Sequence, residues 1–205
     1  MKQILFATSN QAKVKRFAQA LLQKGIEVIS LLDMNSNLNI EENGKNAIEN
    51  SLIKARAYYK KTGMVTFAID DNLYLENVPD SKQPGMFVRR VNGKRLSDEE
   101  MIKYYSNLAK EYGTNGKITA RWVYGMAIIT NKGEFTYSWS KSDFYLVDTP
   151  SKVINVGYPL NTISINKKLN KYFTDITEED KLLIQENEEN VIEFITKNVY
   201  DDVVE

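Results

Sequence analysis

Residues 41 to 55, EENGKNAIENSLIKA, set Glu41 and Glu42 before a glycine turn and Lys54 after it, in a stretch otherwise patterned as the start of an amphipathic helix. Asp70 and Asp71 stand together further on, and Lys13 lies in the early segment FATSNQAK. Hard cations such as Mg2+ take one or two carboxylates together with phosphate oxygens, so acids on a turn and at a strand end suit such an ion. Acidic pairs are also common on solvated surfaces. The combination with lysines is the informative feature, because anionic ligands need cations and metal sites need anions.

Composition narrows the chemistry. The chain has no cysteine and no histidine, which removes disulfides, thiolate metal sites and the usual general base. A carboxylate is then the natural group to activate water. Lysine plus arginine balances aspartate plus glutamate at 27 each, so the net charge offers no footprint for nucleic acid. At 205 residues and 42% hydrophobic, the chain supports a proper core. The short apolar run in MKQILFATSN is far below a membrane span or signal, and the expectation is a cytoplasmic protein with no membrane partner, a cysteine-free secreted protein being the alternative.

The elements that must position these residues read as α/β. KQILFAT is a buried-type strand, and SNQAKVKRFAQALLQKG a helix with Ser9 or Asn10 as N-cap and Gly25 as its stop. IEVIS is a second strand. A helix from about Ala47 to Lys61 carries Ile48, Leu52, Ala55 and Tyr59 on one face and ends at Thr62-Gly63. MVTFAI is then a strand whose C-terminal end delivers Asp70 and Asp71, where open α/β sheets bind ligands. A helix around SDEEMIKYYSNLAKEYG precedes two long strands joined at NKG, and Thr177 with the acids after it opens one C-terminal helix, beyond which DDVVE frays. The first strand-to-helix turn offers backbone N–H groups with Lys13 one turn in, which makes a phosphate seat; an ordinary capped helix with a solvated lysine is the plainer alternative.

Taken in order, these segments resemble the inosine triphosphate pyrophosphatases. ATSNQAKVKRF is similar to that family's T-(S/G)-N-x-x-K opening, EENGKNAIENSLIKARA to E-E-T-G-x-T-F-x-E-N-A-x-x-K-A, and AIDDNLYLENV to A-D-D-S-G-L. PGMFVRR resembles P-G-x-x-S-A-R, and FTDITEEDK resembles A-E-(L/M)-x-x-E-E-K. The resemblance implies an α/β fold, an elongated mixed sheet with flanking helices, forming one domain of two lobes around a central nucleotide-binding cleft. It also implies a homodimer that hydrolyses a nucleoside triphosphate to monophosphate and pyrophosphate with Mg2+, with Mn2+ as a possible substitute. Carried over by position, Thr8, Ser9, Asn10 and Lys13 would hold the triphosphate, with Asn72 beside them and Lys54 and Lys181 adding positive charge. Lys13 and Lys54 would also serve catalysis. Glu42 and Asp71 would bind metal with Asp70 beside them, and Asp71 would activate the attacking water. Glu41 would be supporting or exposed.

The departures concentrate where the family reads its base. Val156 and Pro159 in NVGYPLN replace the Phe and Asp of G-F-G-(Y/W)-D-P, and Gln185, Glu186 and Asn187 replace Ser-His-Arg. Nearer the phosphates, Asn72 replaces a serine, and Val88 and Arg89 replace Ser-Ala before Arg90. Phosphate-site charges kept while base readers change indicate rewired specificity, with Glu186 and Asn187 as a new edge-reading pair and Tyr158, Trp122 or Tyr124 as a substitute stacking ring. The alternative for Glu186 and Asn187 is an exposed stretch of helix. The functional expectation is a Mg2+-dependent pyrophosphatase acting on an NTP or dNTP other than ITP or XTP; a nucleotide-binding protein of the same fold with little turnover is the alternative.

Overall fold

The computed structural model describes residues 1–36, 38–184 and 188–200. A six-stranded sheet has the order β2-β1-β3-β6-β7-β8, built from β1 (Lys2–Phe6), β2 (Ile26–Ser30), β3 (Thr66–Leu75), β6 (Lys117–Thr130), β7 (Gly133–Val147) and β8 (Ser164–Asn166). A separate two-stranded sheet pairs β4 (Arg90–Val91) with β5 (Lys94–Arg95). The helices are α1 (Gln11–Gln23), α2 (Ala47–Thr62), α3 (Asp98–Tyr112), α4 (Glu178–Ile184) and α5 (Glu189–Tyr200). The mixed α/β class expected from the sequence is therefore the one observed. No helix among the described residues is long and apolar enough to cross a membrane.

The chain divides into two compact units. The first holds residues 1–71, 124–139 and the described residues from 188 on; the second holds 72–123 and the described part of 140–186. In the first unit, β1 runs parallel to both β2 and β3, as a right-handed strand-helix-strand start dictates. Phe6 stacks on Phe67 at 4.2 Å between centroids and meets Phe17 of α1 edge-on, so three buried rings fix α1 against the strands. Each such ring contributes about 1.5–3 kcal/mol by burial. In the second unit, Leu73, Leu75, Tyr105, Leu108, Phe144 and Ile163 belong to a core under α3, which starts with a full capping box between Ser97 and Glu100.

Four expectations need correction. β3 does not end at Asp71 but continues to Leu75, because Asn72, Leu73 and Leu75 are buried and keep the strand paired; the two aspartates lie mid-strand. The buried face of α2 is Ala47, Asn50, Ser51, Ala55 and Tyr58, one position away from the expected stripe; Leu52 and Tyr59 pack at its margin. The C-terminal helix is two helices, α4 and α5. The β4–β5 hairpin was not expected, although Asn92-Gly93 marks it: both residues have positive φ, 50° and 78°, as the turn between twisted strands requires. The terminal DDVVE lies outside the described residues.

The seat of α2 is set by a close approach. A Cβ on Gly125 of β6 would fall 2.3 Å from the backbone nitrogen of Ile48 and 2.5 Å from the carbonyl carbon of Ala47. The Ser51 hydroxyl donates to the Gly125 carbonyl at 2.7 Å. Gly125→Ala must therefore push the first turn of α2 off the sheet. It is expected to cost about 1–3 kcal/mol, read as a Tm fall of roughly 2–4 °C per kcal/mol in a chain of this size; a Tm unchanged from wild type would contradict this packing.

Candidate functional site

The start of α1, the loop before α2, the middle of α2 and the middle of β3 supply the charged groups, all in the first unit. At α1, the Asn10 side chain caps the helix by accepting from the Ala12 N–H at 2.9 Å, which decides between Ser9 and Asn10; Ser9 is exposed. The Thr8 hydroxyl accepts from the Asn10 N–H at 3.2 Å and holds the turn. Lys13, one turn in, donates to Asp71 Oδ2 at 2.7 Å.

At α2, Asn46 caps the helix by accepting from the Glu49 N–H, and Gly63 stops it in the left-handed region with φ 69°. Lys54 pairs with Glu42 at 3.1 Å across the Gly44 turn. Asn50, buried on the same helix, accepts from the Gly44 N–H at 2.8 Å and bonds the Asp70 side chain. Burial raises the Asp70 carboxyl above its ordinary range, with Asp71 adding to the rise, while Lys54, Lys13 and the Asn50 bond pull it down. Glu42, Lys54, Asp70, Asp71 and Lys13 thus form one electrostatic group. The two ion pairs are partly exposed, with side chains between 18% and 37% accessible. Pairs of this kind contribute at most about 1 kcal/mol to stability, so exchanging their partners costs little.

Glu42, Asp70 and Asp71 carry oxygen donors of the kind a hard cation takes. Among the described residues, no group of three or more carboxylates is gathered tightly enough to hold a metal by itself. The donors present fit the Mg2+ habit of one or two protein carboxylates completed by phosphate oxygens and water.

Other expected residues are placed differently. Asn72 is buried, its amide donating to the Tyr74 hydroxyl at 3.4 Å, and it is not one of the grouped charges. Lys181 belongs to the second unit and pairs with Glu178 three residues earlier, at 2.6 Å. Glu41 is exposed, as expected. Val88 is in the second unit's core and Arg89 pairs with Asp98, so both have packing duties. Val156 is 81% exposed, and Pro159 opens a buried 3-10 turn. Trp122 packs against the second unit's core, whereas Tyr124 belongs to the first unit, where Arg16, Asp71 and Lys13 all act on its hydroxyl. Gln185, Glu186 and Asn187 lie outside the described residues.

Asn50 and Arg16 were not singled out from the sequence. The signal for Asn50 is a polar residue on the apolar face of α2, beside Ala47 and Ser51, where burial demands a bonded partner. Arg16 follows Lys13 by three residues and so shares its helix face.

A capped helix N-terminus with a lysine one turn in thus stands beside acids on an adjoining strand in a mixed α/β protein. The chain belongs to the Ham1 family, whose model matches residues 4–195. It is 30% identical over 162 residues to the dITP/XTP pyrophosphatase of Bacillus licheniformis, covering 77% of this chain and 79% of that one. It is 28% identical to the dITP/XTP pyrophosphatase of Bacillus subtilis, covering 88% and 89%. Among solved structures, the Staphylococcus aureus Ham1 protein superposes with a TM-score of 0.72 at 22% identity, over 96% of this chain and all of that one. The HAM1 protein of Coxiella burnetii gives 0.71 at 22% identity, over 98% of this chain and all of that one. The family resemblance read from the motifs therefore stands.

Asn50→Ala should leave the Gly44 N–H and Asp70 each short of a bond. The expected loss is about 1–3 kcal/mol of unfolding free energy, measured in urea; a loss below the error of the titration would remove Asn50 from the site's support.

Proposed function

We propose that this chain is a Mg2+-dependent nucleoside triphosphate pyrophosphatase that hydrolyses an NTP or dNTP to the monophosphate and pyrophosphate, with a base preference other than ITP or XTP. The observation that carries the reading is the pair of lysine–carboxylate bonds, Lys13–Asp71 and Lys54–Glu42, set around Asp70. Each lysine can transfer to a phosphate oxygen, and each transfer releases a carboxylate.

Lys13 and the N–H groups at the start of α1 would bind the triphosphate, with Thr8, Ser9 and Asn10 shaping that turn, and Lys54 would oppose the charge developing on the leaving pyrophosphate. Asp71, released by Lys13, would take a proton from the water that attacks the α-phosphorus. Glu42, Asp70 and Asp71 would hold Mg2+, which when bound polarises phosphoryl oxygens as a Lewis acid. Asn72 and Lys181 would act only through rearrangement of their present bonds. The same reading takes Mn2+ as a replacement ion and a cytoplasmic homodimer as the working form.

The changed preference is supported by Val156 and Pro159. An exposed valine offers no ring for a base to stack on, and a proline in a 3-10 turn has no carboxylate. The test is pyrophosphate release with Mg2+ across ITP, XTP and the common NTPs and dNTPs. Release is expected from a nucleotide other than ITP or XTP and is expected to stop with EDTA. Asp71→Asn should lower turnover by about 10²- to 10⁴-fold with nucleotide binding intact. Wild-type turnover in that variant would remove Asp71 as the base, and release from no nucleotide would favour a binding protein.

A further inference from the structure

We infer that the Arg16–Glu188 ion pair is the base-reading element of this chain, and that Glu188 selects a nucleotide whose base carries an exocyclic amine. The inference rests on the pyrophosphatase reading for its phosphate seat and extends it to the substrate's other end.

Arg16 lies one turn beyond Lys13 on the same face of α1, so it is the next charged group met along the helix from the phosphate seat. Its Nε donates to Oε1 of Glu188, the residue just before α5. The side chains are 26% and 23% accessible, open enough for a ligand to reach and shielded enough for a polar contact to discriminate.

The pair is held in orientation. The Arg16 guanidinium lies 5.4 Å from the centroid of Tyr124 and 5.3 Å from that of Phe17. Tyr124 in turn stacks on Trp139 at 4.9 Å with planes 13° apart. The Tyr124 hydroxyl, kept neutral by a pKa that burial pushes up to about 12, feels Arg16, Asp71 and Lys13 together. The ion pair and the lysine–aspartate pair therefore share one neighbourhood.

A carboxylate only accepts hydrogen bonds, and it has about four acceptor positions, of which Arg16 takes one. Guanine N2, adenine N6 and cytosine N4 offer N–H donors. Hypoxanthine has no amine, and xanthine and uracil place carbonyl oxygens where an amine would stand; a carbonyl facing a carboxylate is repelled. A site that hydrogen-bonds a particular substrate group rejects the analogue lacking it, because its own polar atoms are left without partners. This moves the acceptor one residue beyond the Glu186–Asn187 pair expected from the sequence, onto a residue the structure describes.

The competing role for the pair is a strap fastening α5 to α1, and the experiment separates the two. GTP differs from ITP in its amine alone, and CTP carries an amine where UTP has a carbonyl. For both pairs, kcat/KM for pyrophosphate release and Kd by calorimetry are measured on wild type, Glu188→Gln and Glu188→Asp, with Tm alongside. Wild type is expected to prefer the amine-bearing member of at least one pair by about 10-fold or more, and both variants to shrink that ratio by about 10-fold. Equal weakening of both members with the ratio intact would make the pair a strap and overturn the inference, as would a wild-type preference for ITP and UTP. The Kd ratios measure the same preference without turnover, so absence of pyrophosphate release would count against the enzyme reading and not against Glu188.

Discussion

A carboxylate taken out of water must be compensated, and Asp70 is the group around which this compensation is organised. Burial pushes its proton affinity up; Lys54, Lys13 and the Asn50 amide act against it. Two of those contacts, Lys54 and Asn50, require α2 to lie where it does, and α2 lies there because Gly125 has no side chain to keep Ala47 and Ile48 away. A backbone approach on β6 therefore reaches the charged group through one helix. The rings of Phe6, Phe17 and Phe67 do the same for α1 and Lys13.

In the proposed function, the two ion pairs would give the arrangement its reactivity. Lysines already bonded to carboxylates are weakly held at this exposure, so a triphosphate can draw them away at small cost. What is then left is a set of acids around a half-buried aspartate, which is the condition a divalent cation satisfies. In the proposed reaction, binding of the anion and binding of the cation would thus favour one another through the same side chains, a coupling that follows from charge alone.

Much of this was legible in the sequence because it is local. Caps, stops and strand periodicity placed β1, α1, β2 and α2 closely, since Asn10, Gly25 and Gly63 each act within a turn of their own position. The motif spacing singled out Lys13, Glu42, Lys54, Asp70 and Asp71. What the sequence did not reveal was non-local. Asn72, expected beside phosphate, is buried by the continuation of β3, a matter of strand pairing that the residue's own neighbours do not reveal. Lys181 was expected to add charge and pairs with Glu178 in its own helix. Arg16 was not singled out, because its partners, Glu188 and Tyr124, are distant in the chain.

The central claim is that the two lysine–carboxylate pairs exchange partners when nucleotide and Mg2+ bind. A crystal structure with Mg2+ and a non-hydrolysable triphosphate tests it most directly. The account predicts Lys13 and Lys54 on phosphate oxygens, with Asp71 and Glu42 released from them and turned to the ion or its waters. Retention of both the Lys13–Asp71 and Lys54–Glu42 bonds with nucleotide in place would contradict it.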